Sequence, residues 1–366
     1  MPASEAIPDL PQRIVTALDV EPEWTLEEPH GIGFVAGEVG VWLTVRDTRA
    51  WKSVLRLETR LARHVPDGPD TWRFCDRLNN HPQLGSLGGR WVHDPATETL
   101  ALVADLSSFN QAGAAAGYVE LYAGFLALMT SRTEFAAHTF IAQPEPAGGE
   151  ALTLIAGRRR TTAHPILNRL AETRDAGQEP ALVHTVADLV QRDLPGLLPA
   201  RVGGRWLTAG REHGLDLWSL HGTVLSVDTV RNPELGWGIY VEAGLDEDSP
   251  EQETRTGDQV SGPRGLPPGS ATWATLNREA SARGGVAPGC WTKGGGQNTV
   301  HRFFLPAALL ACATPAAAAL FTGELAGLAV RQLHSALHGA PETQPVLAHP
   351  GWPGDEEADA LVQRDA

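Results

Sequence analysis

Four stretches of the chain place apolar residues along one helix face. Leu10–Leu18 does so with Ile14, Val15 and Leu18, and Tyr118–His138 with Leu121, Tyr122, Phe125, Leu126 and Met129. Val186–Leu198 carries Leu189, Val190, Leu194 and Leu197, and Ala316–Leu337 carries Leu320, Phe321, Leu325, Leu328 and Leu333. Residues three and four apart share a side of a 3.6-residue turn, so each stretch predicts a helix with one face to bury. Between these helices, short β-prone runs alternate with turn-forming Gly, Asn, Asp and Pro, which predicts antiparallel strands.

The same order of elements occurs twice. Residues 71–106 and 272–306 both open on Thr-Trp (Trp72, Trp273), pass Leu78-Asn79 and Leu276-Asn277, and reach a second tryptophan, Trp91 or Trp291. From there the two run in parallel at an offset of 200, with Asp94–Thr97 opposite Gly294–Gln297 and Leu106 opposite Pro306. Upstream the match is looser, near an offset of 182: Trp24 lies opposite Trp206, and Gly40–Val45 opposite His221–Val227, while Trp51 is answered by Trp237. The predicted fold class is α+β. It consists of two tandem diverged copies of an α-β-β-β-α-β-β-α unit, each with an antiparallel sheet covered by helices on one face.

Domain boundaries follow from this pattern. Residues 1–141 form the first unit, and 142–182 a linker with room for a short helix at Ala163–Thr173. Residues 183–338 form the second unit, and 339–366 a disordered acidic tail. Leu245–Gly269, rich in acids, Gly and Pro, reads as an insertion in the second unit.

Composition narrows the function classes. With 366 residues, 42% hydrophobic and 20% charged, most of the chain has the makings of packed domains. A net charge of −15 repels phosphate backbones and anionic lipids, so no nucleic acid and no membrane is expected as partner. The start of the chain lacks the basic and apolar regions of a signal peptide, and Phe303–Leu325 is interrupted by Pro306, Pro315, Gly323 and Glu324. With only Cys75, Cys290 and Cys312, no disulfide framework or paired-cysteine zinc site can be built, which suits a cytoplasmic location.

Candidate chemistry is sparse. Gly294, Gly295 and Gly296 follow Lys293 in the reverse of P-loop order and sit where a hairpin turn is expected. His334 and His338 share a helix face, but a final helical turn is where histidine offsets the dipole. Cys75 and Cys290 read as small apolar packing groups, and Arg158, Arg159 and Arg160 as a solvated charge run. Asn79 and Asn277 recur in both copies; a local hydrogen bond to the loop leaving each helix accounts for that as well as a binding role does. Of the 11 tryptophans, the repeated ones read as core and Trp42, Trp218 and Trp352 as surface candidates. No catalytic, cofactor-binding or metal residue is assigned.

The segment Phe74–Asn80, followed by Gly89–Leu106 and an apolar helix, resembles the YbjN-like members of the type III secretion chaperone-like (TY-Chap) superfamily. The matching positions are Asn79 with Trp91–Leu106 and Asn277 with Trp291–Leu305. The resemblance implies a non-catalytic chaperone or adaptor that holds a client polypeptide, with two units in one chain standing in for a dimer. The expected client is a protein, basic or partly disordered, and the expected state a monomer with an internal pseudo-dimer or a homodimer. Trp42, Trp218, Trp352, Asn79 and Asn277 are the candidate protein-binding residues, and no cofactor is required. Two alternatives stand beside this: an enzyme with its site in the cleft between units, and a structural or immunity-type subunit of a larger complex.

Overall fold

The computed structural model describes residues 10–28, 31–36, 39–46, 54–81, 88–107, 114–140, 165–175, 178–197, 210–212, 215–220, 223–245, 273–274, 276–278, 289–293 and 299–338. The insertion at 246–269, the tail, Trp51, Trp206, Trp352, Arg158–Arg160 and Gly294–Gly296 lie outside these residues.

The first part of the chain runs α1 (Leu10–Ala17), β1 (Thr25–Glu28), β2 (Gly31–Ala36), β3 (Val39–Arg46), β4 (Val54–Ala62), α2 (Pro69–Asn80), β5 (Arg90–Asp94), β6 (Thr99–Ser107) and α3 (Ala114–Phe140). Then come α4 (Pro165–Asp175), α5 (Ala181–Leu197), β7 (Gly210–Glu212), β8 (Leu215–Leu220), β9 (Thr223–Asn232), β10 (Gly236–Leu245), β11 (Cys290–Lys293), β12 (Thr299–Pro306), α6 (Ala307–Leu310) and α7 (Pro315–His338). The protein is α+β with two antiparallel six-stranded sheets, ordered β1-β2-β3-β4-β6-β5 and β7-β8-β9-β10-β12-β11. Among the described residues, no helix is long and apolar enough to cross a membrane.

Two sequence expectations need correction here. Four strands, not three, precede α2, because the chain reverses between Glu28 and Gly31 and again between Ala36 and Val39. The hairpins also differ by one residue. Trp91 pairs with Leu102, but Trp291 pairs with His301, so the offset of 200 drops to 199 across the turn. Leu305, not Pro306, therefore takes the register of Leu106: Leu106 faces Leu55 of β4, and Leu305 faces Ile239 of β10.

Alternation along the strands sorts the first sheet into two faces. Val41, Leu43, Leu55, Leu57, Leu102, Ala104 and Leu106 point into the core under α1 and α3. The helical layer is common to both sheets. Tyr118 and Tyr122 of α3 pack their rings against Phe321 of α7, and α3 also meets α4 and α6. One continuous apolar cluster results, running from Leu10 to Ala329. Ile166 and Leu170 of α4, inside the expected linker, are buried in it.

The opposite face of the first sheet is closed by side chains that strand alternation alone would leave wet. Trp42, expected on the surface, is only 8% exposed. Its ring fills the space over Gly33, the cross-strand neighbour, where an added Cβ would lie 2.6 Å from ring carbon Cζ3. The Arg60 guanidinium stacks 4.9 Å from the ring centroid. On the same face, Asp105 accepts two hydrogen bonds from Arg56, at 2.6 and 3.1 Å, and a further one from Arg90. Burial and Arg56 both act to lower the Arg90 pKa, against Asp105. Burial also works against the charge on Arg56, but Asp105 outweighs it and the pKa is raised. Gly33→Val is expected to cost about 1–3 kcal/mol by forcing Trp42 out of place. In urea unfolding, Gly33→Val combined with Trp42→Ala should lose less than the two single changes added together.

Candidate functional site at the junction of the two sheets

The two sheets meet at β5 and β11, and each of these strands is held by the same device. Asn79, near the end of α2, donates from Nδ2 to the Trp91 carbonyl at 3.0 Å, and its Oδ1 accepts the Trp91 N–H at 2.8 Å. Asn277 treats Trp291 identically, at 3.0 and 2.8 Å. Trp91 faces Leu102 of β6, so the backbone groups taken by Asn79 are those of the outer edge, which an added strand would use. One amide thus stands in for a missing strand at each edge. Both asparagines are fully buried, which places them as braces of the strand and not as an exposed contact.

Local sequence explains why the asparagines arrive there. Pro69 opens α2, Asp70 lies in its first turn and Arg77 in its last, and His81 before Pro82 ends it. The inward face carries Cys75, Asp76, Leu78 and Asn79. Gly88 and Gly289, just before β5 and β11, adopt φ of 64° and 81°, where a side chain would be strained. Gly289 N–H donates to the Gly88 carbonyl at 2.6 Å, joining the two approaches directly. Beside it the Cys290 thiol points at the Asn79 carbonyl, 3.8 Å away, and Thr292 Oγ1 bonds Asn80 Oδ1.

A small cleft opens at this junction, lined by Trp72, Cys75, Val92, His93, Ala274 and Arg278. Asp67 Oδ1 gathers three groups at its mouth: Trp72 Nε1 at 2.8 Å, His93 Nδ1 at 3.4 Å and Arg278 Nη1 at 3.9 Å. The Trp72 hydrogen bond, with help from His93 and Arg278, holds the Asp67 carboxyl below its usual range. His93 Nε2 lies 2.7 Å from the Val65 carbonyl, and Arg278 sits 5.6 Å over the Trp72 ring. Burial, reinforced by Asp76, pushes the Cys75 thiol up to about 12, so it stays a thiol and packs as an apolar group. Asp76 itself is buried with neither carboxyl oxygen hydrogen-bonded.

Of the other candidate residues, Trp218 lies on β8 opposite Leu225, the register that Phe34 holds opposite Val41. His334 and His338 fall in the last turns of α7. Among the described residues, no group of three or more His, Cys, Asp or Glu is placed to hold a metal ion. Sequence reasoning misses Asp67, Asp76, His93, Arg90, Asp105 and His301. Asp105 and Arg56 carry a signal, as charges inside otherwise apolar strands. The others show their partners only once the chain is folded. Compared with known proteins, the chain matches no family model, no curated protein and no solved structure.

His301 occupies the position facing Trp291 that Leu102 occupies facing Trp91, with the two rings edge to face at 5.1 Å. Burial, together with nearby Arg90, pushes its pKa down to about 3. Unfolding restores the ordinary value near 6.5, so the stability this neutral ring supports is complete above that pH. It is lost as pH falls toward 3, by about 1.4 kcal/mol per unit. His301→Leu should therefore gain about 2–3 kcal/mol over the parent at pH 4.5, relative to pH 7, in thermal unfolding.

Asn79→Ala and Asn277→Ala each leave a strand N–H and C=O without their partner. Each is expected to destabilise by about 2–4 kcal/mol in urea unfolding, on the scale of two buried hydrogen bonds lost with their partners stranded. Aspartate keeps the acceptor but loses the donor, so Asn79→Asp should remain well short of parental stability.

Proposed function

We propose that this chain is a non-catalytic protein-binding chaperone or adaptor, a YbjN-like member of the TY-Chap group working in the cytoplasm. Its two α+β units are diverged tandem copies that act as a pseudo-dimer. The observation that carries the reading is the shared strand order of the two sheets, each with an Asn-to-Trp brace on its fifth strand in sequence. With β5 and β11 occupied by those braces, the edges left to receive an extended client are β1 and β7. Strand addition supplies backbone hydrogen bonds without demanding a client sequence, which suits a holding function. Around β1, Glu21, Glu23 and Glu27 are exposed, and with the net charge of −15 they favour a basic client. Trp218 and Trp352 remain candidate client contacts.

The enzyme reading has one observation in its favour. Asp67, His93 and Arg278 converge at a cleft that draws on both halves of the chain. The cleft is narrow and its thiol is held protonated, which favours the binding reading.

Because both sheets share one core, the test is charge reversal at the edge and not truncation. The intact chain and a Glu23→Lys/Glu27→Lys variant are each used for affinity purification from the native cell extract. A polypeptide recovered in a fixed molar ratio with the parent, and reduced at least tenfold with the variant, is the expected result. Equal recovery with both proteins removes β1 as the client edge. Absence of any stoichiometric partner, together with a turnover lost in Arg278→Ala, moves the assignment to the cleft.

A further inference from the structure

Asp76 lies on the buried face of α2, where that helix meets β11, Ala274 and Arg278 from the second half of the chain. It is 3% exposed, and neither oxygen completes a hydrogen bond. The Ala274 N–H approaches the carboxyl and partly offsets its burial, but the geometry falls short of a hydrogen bond. Among the described residues, the charged and titratable side chains nearby have other partners. On α2, Arg73 pairs with Asp70, and Arg77 stacks on Phe74 and Phe140. On β5, Arg90 is held by Asp105, and His93 by Val65 and Asp67. Arg278 leans on Asp67 and Trp72, and β11 brings the Cys290 thiol. Cys75, next in the chain, is a protonated thiol.

We infer that Asp76 is a proton-operated lock on the joint between the two halves of the chain. As a neutral acid it is tolerated at the contact with Ala274 and β11, and as a carboxylate it drives that contact open to water. The argument rests on the side chain's position: a charge in this place loses its hydration and gains only the approach of the Ala274 N–H, with no opposite charge to pair with. Burial pushes the Asp76 carboxyl up to about 8 in the closed joint. Opening to solvent returns it to the ordinary range near 4. The closed state is therefore fully favoured below about pH 4. It loses ground about tenfold per unit as pH rises toward 8, then levels once the group is ionised in both states. This inference concerns the joint itself and does not depend on the chaperone reading.

Cys290 reports the joint, since it is fully buried against Asn79 across the contact. The full chain and Asp76→Asn are treated with a dithiodipyridine reagent between pH 5 and pH 8. Modification of the Cys290 peptide is followed by mass spectrometry and normalised to a free thiol at each pH. In the parent, the normalised rate should rise by about tenfold per pH unit, and in Asp76→Asn it should stay flat and slower at pH 8. Asp76→Ala should also lose the slope, which keeps the test open if the Asn variant folds poorly. The same slope in parent and variants, or faster labelling of Asp76→Asn at pH 7, overturns the inference.

Discussion

A single side-chain amide, repeated, governs how the two sheets end. Asn79 and Asn277 each close both backbone groups of a tryptophan on an edge strand, with nearly the same distances. An exposed strand edge invites further pairing, and most proteins blunt it with charge, proline or a bulge. Here the blunting comes from a helix that delivers one amide, so helix and strand are tied together and the strand cannot extend its sheet. The tryptophan side chains, which the pleat projects out of the plane of the sheet, then join the apolar core. With the edges so closed, β5 and β11 can approach through Gly88 and Gly289 without merging into one long sheet.

Polar burial concentrates along that same seam. Asp76, Arg90, His93, Asp105, Thr292 and His301 are all buried, whereas the helical side of the core is mainly apolar. Such groups add little net stability compared with apolar packing, because desolvation offsets much of each attraction. What they do contribute is discrimination: a shifted register would strand two guanidinium groups on Asp105 or leave an edge amide unpaired. The seam is thus well specified but weakly reinforced, and it is the place where a change in protonation has leverage on the arrangement of the two halves.

Periodicity in the sequence is enough to reveal the helices, the antiparallel strands and the role of the apolar stripes. It fails at short range. Three-residue and four-residue strands such as β7 and β1 carry too few side chains to show alternation, so β1, β2 and β3 merge in the pattern. The one-residue difference between hairpins is invisible because Trp91 and Trp291 align before the turn, and only cross-strand pairing registers the shift beyond it. Trp42 reads wrongly as a surface residue for another reason. Its burial depends on Gly33 across the sheet and Arg60 above it, contacts between residues that one-dimensional spacing does not connect. The asparagines illustrate the limit most sharply: their recurrence is legible, but whether an amide faces a partner protein or its own backbone is decided by the fold.

The shared core changes what a two-part architecture can do. If each sheet buried its own helices separately, the halves could move as beads on a linker, and a ligand at one would not be felt at the other. Instead α3 packs on α7 through Tyr118, Tyr122 and Phe321, and α4 wedges Ile166 into the same cluster. Dense packing of this kind resists gradual deformation, so the two sheets are held by one core and not by a linker. The polar seam and the apolar helical layer are thus two contacts between the same two sheets.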